Sequence, residues 1–249
     1  YIYEEKLASV QSPYQKIEVL QTARHGKVLL VDDFMMLTED SEYVYHEMMA
    51  HIPLAAHHLA KRVLIIGGGD GGVVREVLRY PRIEQIVLVE IDEEVIKVCR
   101  RFLPEISSGL DDPRVTVIIG DGVRYVSETR ERFDVIIIDS TDPFGPAALL
   151  ISPDFYRACR RVLGDEGLLM QQVASPFFNP DIFVKAFHHM RRSFPLASPV
   201  LVPVPFYISG HWGLGLASGS ARFFRQEIPP GKWDIPGLRY YNPEVHGAS

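Results

Sequence analysis

The architecture turns on ten residues, Val63-Leu64-Ile65-Ile66-Gly67-Gly68-Gly69-Asp70-Gly71-Gly72. Four consecutive aliphatic side chains read as a strand buried on both faces, as in a parallel sheet covered by helices. The glycines that follow let the backbone turn sharply, and residues 73–79 then read as a helix. The same unit recurs downstream. Residues 86–89, 115–119, 135–138 and 168–170 are continuous apolar runs rich in β-branched side chains. Helical stretches at 93–102, 123–128 and 153–163 separate them, the last opened by Ser152 as cap and Pro153 in the first turn. This alternation predicts an α/β protein with a parallel, doubly wound sheet and right-handed crossovers.

Upstream the pattern differs. Short apolar runs at 17–20, 28–31 and 34–37, broken by Gly26 and by Asp32-Asp33, predict a small β-meander. Residues 43–52 and onward fit a helix of about four turns leading into the core. The expected division is therefore an N-terminal β-domain over 1–40 and a Rossmann-like domain over 41–249. Beyond Phe177 a helix is predicted at 181–192 and β-like runs at 199–204 and 211–216, while the tail from Ser218 is rich in Pro and Gly and shows no clear element.

Composition narrows the function. A chain of 249 residues holds one α/β core with a small appendage. A net charge of -6 with no basic stretch argues against a nucleic-acid partner and suits a small cationic substrate. Cys99 and Cys159 fall in helical segments without metal-ligand spacing, so reduced thiols, no metal site and a cytoplasmic location are expected. No apolar run reaches the ~18 residues of a membrane span. Residues 1–6 lack the pattern of a signal peptide, and the missing initiator Met points to a shortened chain.

Ligands of open parallel sheets bind beyond the carboxyl ends of the strands, where this chain places Gly and acids. Gly67, Gly69 and Gly72 give a Gly-x-Gly-x-x-Gly spacing, which serves either a close backbone approach to a ligand or a plain turn. Glu90 follows the second strand 18 residues after Gly72, where an acid can accept both hydroxyls of a ribose. In Gly120-Asp121-Gly122 a carboxylate between flexible residues can accept from an adenine amino group, or simply close an Asp-Gly turn. The fourth strand ends in Asp139-Ser140-Thr141-Asp142-Pro143, followed by Gly145-Pro146-Ala147. Two carboxylates three residues apart repel each other unless a cation sits between them, helix capping being the competing reading.

At these residues the chain resembles the polyamine aminopropyltransferases, spermidine synthases above all. The resemblance spans nearly the whole sequence, through Tyr14-Gln15-Lys16-Ile17, Thr38-Glu39, Tyr45-His46-Glu47-Met48, the glycine loop, Val89-Glu90-Ile91-Asp92, Gly120-Asp121-Gly122 and the segment from Asp139 to Ala147. It continues through Tyr207, Ser209-Gly210 and Tyr240-Tyr241-Asn242-Pro243-Glu244-Val245-His246. It implies a β-domain followed by a methyltransferase-like Rossmann domain, decarboxylated S-adenosylmethionine as co-substrate with no prosthetic group, an amine acceptor, and a homodimer or homotetramer. By similarity Glu90 holds the ribose, Asp121 and Gly122 the adenine edge, Gln15 the sugar or aminopropyl side, and Pro146 with Ala147 an apolar wall. Asp70 faces the donor's ammonium where ordinary S-adenosylmethionine would bring a repelled carboxylate. Asp139 accepts the acceptor's proton with Tyr45 as hydrogen-bond partner, while Asp142, Tyr207, His46 and Gln172 hold the acceptor.

Three positions depart from the family. Met36 stands where Gln is common, and Ala148 and Ala174 stand where Glu is common. Two acids are thus missing on the acceptor side, so putrescine leads, with cadaverine, agmatine, spermidine or another amine as alternatives. Three rival readings remain open: a small-molecule methyltransferase, a nicotinamide dehydrogenase, which leaves Asp139 and Asp142 unexplained, and a non-catalytic nucleoside or amine binder.

Overall fold

Four antiparallel strands come first: β1 (Glu5–Gln11), β2 (Lys16–Thr22), β3 (Gly26–Val31) and β4 (Phe34–Thr38), hydrogen-bonded in that order. The computed structural model describes residues 3–142, 145–224 and 235–248, the side chains of 145 and 146 excepted. Asp32 and Asp33 both take positive φ (48° and 65°) in a two-residue hairpin whose flanking pair is Val31 and Phe34. That geometry matches the right-handed twist of the strands, and Asp tolerates it better than most side chains. The expected meander lacked β1. Its hydrophobic alternation is weak because it is a half-exposed edge, held through Lys6 and Ser9, which donate to the buried Glu18 at 2.5 and 3.1 Å.

The chain then forms α1 (Glu42–Ala56), β5 (Arg62–Gly67), α2 (Gly72–Val77), β6 (Gln85–Glu90), α3 (Glu93–Phe102), the single turn α4 (Pro104–Ser107), β7 (Val115–Ile119) and α5 (Gly122–Glu128). β8 (Val135–Asp139), α6 (Pro153–Leu163), β9 (Leu168–Ala174), α7 (Pro180–Ser193), β10 (Leu196–Pro203), β11 (His211–Ser218) and α8 (Pro243–Ala248) complete it. The second sheet has seven strands in the order β10-β11-β9-β8-β5-β6-β7. Five of them, β5 to β9, pair in parallel as expected. β11 runs antiparallel to both β9 and β10, so the sheet is not parallel throughout. Only residues 204–210 join β10 to β11, a length that makes a hairpin but cannot carry a parallel crossover.

Both faces of this sheet are covered, which is why its strands read as unbroken apolar runs. Val63, Ile65, Val135 and Ile137 pack towards Met48 of α1 and Val73 and Val77 of α2. Their alternate neighbours Leu64, Ile66, Ile136 and Ile138 pack against Val126 of α5, Phe155 of α6 and Phe187 of α7. A third cluster joins the two sheets, with Ile17, Val19, Leu29 and Leu37 on one side and Val95, Val98 and Cys99 of α3 on the other. The β-domain therefore sits over the helix that leaves Glu90, at the edge of the site.

The tail does contain structure. Glu47, buried in α1, accepts backbone N–H groups from Arg239, Tyr240 and Tyr241 at 2.8, 2.9 and 2.7 Å. Tyr241 is buried, donates to the carbonyl of His51 at 3.2 Å, and also pairs with His246 of α8. Among the described residues both cysteines are buried free thiols, and no helix is long and apolar enough to cross a membrane.

Candidate active site

β5 and β8 lie side by side at the centre of the second sheet, and the chain leaves them in opposite directions, β5 towards β6 and β8 towards β9. This reversal opens a crevice beyond the strand ends. Gly67 pairs in register with Asp139, and the Gly68 N–H donates to the Asp139 carbonyl at 2.7 Å. Glu90 at the end of β6 is tied in turn to the next strand, its carbonyl accepting from the N–H of Gly120 at 2.9 Å. A cleft of about 440 Å³ lies over these ends, lined by Tyr14, Gln15 and Met36 from the β-domain and by the glycine loop, Glu90 and Asp139 from the core.

The glycines make room for acids and for one imidazole. A Cβ on Gly67, whose φ is +78°, would lie 2.1 Å from the Asp139 carbonyl oxygen, and one on Gly69 would lie 2.9 Å from Glu90 Oε2. A Cβ on Gly72 would strike the His46 ring at 2.3 Å. The Gly-x-Gly-x-x-Gly spacing thus lets charged side chains crowd one loop, and its last glycine serves His46.

Glu90 is buried and accepts the N–H of Gly69 at 3.1 Å and of Asp92 at 2.9 Å, one on each oxygen. Burial pushes it up to about 7, against those two bonds. Gln15 reaches the same corner and donates to Asp92 Oδ2 at 3.0 Å, where Ser12 also donates at 2.6 Å. Asp121 caps α5, its Oδ1 accepting from Val123 and Arg124 at 2.7 and 3.2 Å, while Gly122 packs on Ile66 and leaves no space for a Cβ. Both residues line the cleft, as does Ala147. The wall expected from Pro146 lies outside the described side chains.

Asp70 closes the loop on itself by accepting the Gly72 N–H at 2.7 Å. Asp139 receives the Tyr45 hydroxyl on Oδ1 at 2.7 Å, and its Oδ2 is buried with no partner among the described residues. Burial first, then the charge of Asp70, raises the Asp139 carboxyl to about 6, against His46 and Tyr45. Tyr207 also lines the cleft, with its hydroxyl 3.4 Å from the Met36 carbonyl and its ring 4.5 Å from that of Trp212. Asp142 and Gln172 stand just outside the lining and bond to each other at 3.1 Å, leaving Gln172 Oε1 buried without a partner among the described residues. His46 is 2% exposed, with Nδ1 on Glu42 and Nε2 3.5 Å from Asp70, so both ring nitrogens already face carboxylates.

Glu42, Arg75 and Ser12 went unread in the sequence, and Asp92 entered only as part of the Val89-Glu90-Ile91-Asp92 motif, with no role of its own. The i, i+4 spacing of Glu42 and His46 was a usable signal. Arg75 and Ser12 gave none, because their partners lie 33 and 80 residues away. Chemically, the site has a buried carboxylate oxygen open to a donor, a second acid beside it, and a third acid, Glu90, at the end of β6. That combination fits a ligand with amine nitrogens and a nucleoside.

Comparison with known proteins gives the same direction. A family model described as spermine/spermidine synthase domain matches residues 42–227, and one described as spermidine synthase tetramerisation domain matches residues 2–39. A polyamine aminopropyltransferase of Desulforudis audaxviator (strain MP104C) is 42% identical over 249 residues, covering 100% of this chain and 90% of the relative. Another, from Caldicellulosiruptor saccharolyticus, is 43% identical over 240 residues, covering 96% and 86%. A spermidine synthase solved in complex with the transition state analogue AdoDATO superposes with a TM-score of 0.93 at 38% identity, over 99% of this chain and 85% of the other. The spermidine synthase from Thermotoga maritima gives 0.89 at 36%, over 99% and 84%.

Proposed function

The chain belongs to the spermine/spermidine synthase family and is a polyamine aminopropyltransferase, and from that premise we propose that it moves the aminopropyl group of decarboxylated S-adenosylmethionine onto a diamine, putrescine first, releasing methylthioadenosine. The observation that carries this reading is Asp139, whose Oδ1 is held by Tyr45 while the buried Oδ2 at the mouth of β8 has no partner among the described residues. An oxygen so placed suits an N–H donor. The relative solved with AdoDATO, a transition state analogue of the same enzyme class, supports it.

In this reading Glu90 accepts the ribose hydroxyls, Asp121 and Gly122 face the adenine edge, Gln15 braces the sugar side, and Asp70 meets the donor's ammonium. The acceptor nitrogen lies against Asp139, with Asp142, Gln172 and Tyr207 beyond it. A primary alkylamine has a pKa of about 10, so in water it carries almost no lone pair at neutral pH. Beside a sulfonium its charged form is disfavoured, and Asp139 takes the proton. The nitrogen then attacks the methylene carbon next to sulfur, the new C–N bond forms as the C–S bond breaks, and the sulfonium leaves as a neutral thioether. Alignment of the two substrates supplies much of the acceleration.

Putrescine is chosen as acceptor because one carboxylate, Asp142, remains near the acceptor side after Ala148 and Ala174 replace the acids common in the family. The two family matches support a β-domain over 1–40, a catalytic domain over 41–249 and assembly as a homotetramer. The test is a product assay with decarboxylated donor against putrescine, cadaverine, agmatine and spermidine. Methylthioadenosine released fastest with putrescine is expected. Release only with another amine overturns the acceptor, and tight binding of S-adenosylmethionine with none of the decarboxylated form overturns the donor.

A further inference from the structure

Behind Asp70 and Asp139 a chain of buried charges runs away from the cleft. Arg75 of α2 grips Glu42 with both terminal nitrogens, Nη1 to Oε1 at 3.0 Å and Nη2 to Oε2 at 2.8 Å. Glu42, in the first turn of α1, holds His46 Nδ1 at 2.5 Å, and His46 Nε2 faces Asp70 at 3.5 Å. Side-chain exposures of 5% for Glu42 and 3% for His46 put the centre of this relay out of water, while Arg75 and Asp70 at its two ends are partly exposed. One ligating atom from each of His46, Asp70 and Asp139 lies within 4.8 Å of the others.

The arrangement has a physical problem to solve. Two carboxylates this close in a buried site repel, and one of them takes up a proton unless a cation neutralises the pair. A protonated Asp139 could not take the proton of an amine. Resting on the aminopropyl-transfer reading above, we infer that Glu42 and Arg75 are positioning residues that fix His46 as the resident counter-cation of Asp70 and Asp139, so that Asp139 stays a carboxylate ready for the acceptor's proton. His46 is then a part of the site's charge balance at the wall of the cleft.

The surroundings of His46 agree. The charged and titratable groups facing it are Glu42 on its own helix, Asp70 from the glycine loop and Asp139 from the end of β8, with the Tyr45 ring edge-on at 5.5 Å. Arg75 approaches only through Glu42, so its charge orients the carboxylate without sharing the imidazole's proton. Burial works against protonation of His46, yet Asp70, Glu42 and Asp139 together raise it to about 9. Gly72 is part of the device, because any side chain there would displace the ring.

The test is the pH profile of kcat for Glu42→Gln at saturating donor and acceptor. The substitution preserves an oxygen for His46 and removes the charge that holds the proton. We expect the acid limb to move up by on the order of one pH unit, with activity recovered at higher pH and the donor's dissociation constant, read by calorimetry, unweakened. His46→Gln is expected to move the limb equally, and the double variant no further. A uniform loss of kcat at every pH, or additive shifts in the double variant, overturns the inference. Should Glu42→Gln fail to fold, 15N-histidine NMR of the native protein reads the same point, with His46 assigned through His46→Gln. Both ring nitrogens carry protons at neutral pH if the inference holds, and a single neutral tautomer overturns it. The NMR result stands whichever amine is the acceptor and whether or not transfer is detected, so it separates failure of this inference from failure of the functional reading.

Discussion

Two neighbouring acids carry different loads. Asp70 already uses one oxygen on the Gly72 N–H and shares it with His46, whereas Asp139 keeps a buried oxygen free of any partner among the described residues. Asp139→Asn is therefore expected to lower kcat by roughly 100-fold or more, the range typical of a lost general base, with little change in donor affinity by calorimetry. Asp70→Asn is expected to weaken the donor and narrow its preference over the carboxylated form. Equal losses of donor affinity in both variants contradict that division of roles. The pH dependence has a definite sign. With Asp139 raised to about 6, its carboxylate is lost as pH falls through that value, so kcat drops on the acid side and the single-turnover rate over that range reports it. The sequence showed both acids at strand ends, since the rule for open sheets needs only order along the chain. It could not show the free oxygen, which depends on Tyr45, 94 residues away.

α1 is the element on which the site and the tail both lean. Tyr45 and His46 face the cleft, Glu42 faces α2, and Glu47 faces the other way, into the backbone of residues 239–241. Burying three N–H groups on one carboxylate is favourable because charge-assisted bonds are the strong ones. Glu47→Ala leaves those donors without an acceptor, and a loss of about 3 kcal/mol is expected in urea denaturation. Earlier proteolysis of the C-terminal segment is expected with it, while Glu47→Gln, which keeps one acceptor oxygen, falls between. A tail cleaved no faster in Glu47→Ala refutes the anchoring. Strands β5, β6 and β8 were legible because burial on both faces leaves continuous apolar runs. β1 and α8 were not, because each packs only a narrow apolar edge against the core.

At the size of the whole molecule, buried acids set the acid limit. Burial opposes ionisation of Glu42 and Glu76, but His46 and Arg75 on the first, and His51 and Arg75 on the second, override it and hold both at about 2. A depressed carboxyl contributes stability that is present above its unfolded value near 4.5 and lost as pH falls through its folded one. Unfolding free energy is therefore expected to decline between pH about 4.5 and 2, and Glu76→Gln to flatten that slope in denaturant titrations; an unchanged slope refutes it. Amino-acid order alone fixed the α/β class, the parallel core strands and the places where acids emerge, because periodicity and strand-end position are local properties of the chain. The reversed β11, the tail folded back on Glu47 and the relay from Arg75 to Asp139 required the folded molecule. Each joins groups from separate elements, and whether a buried charge is balanced depends on which distant charge lies beside it.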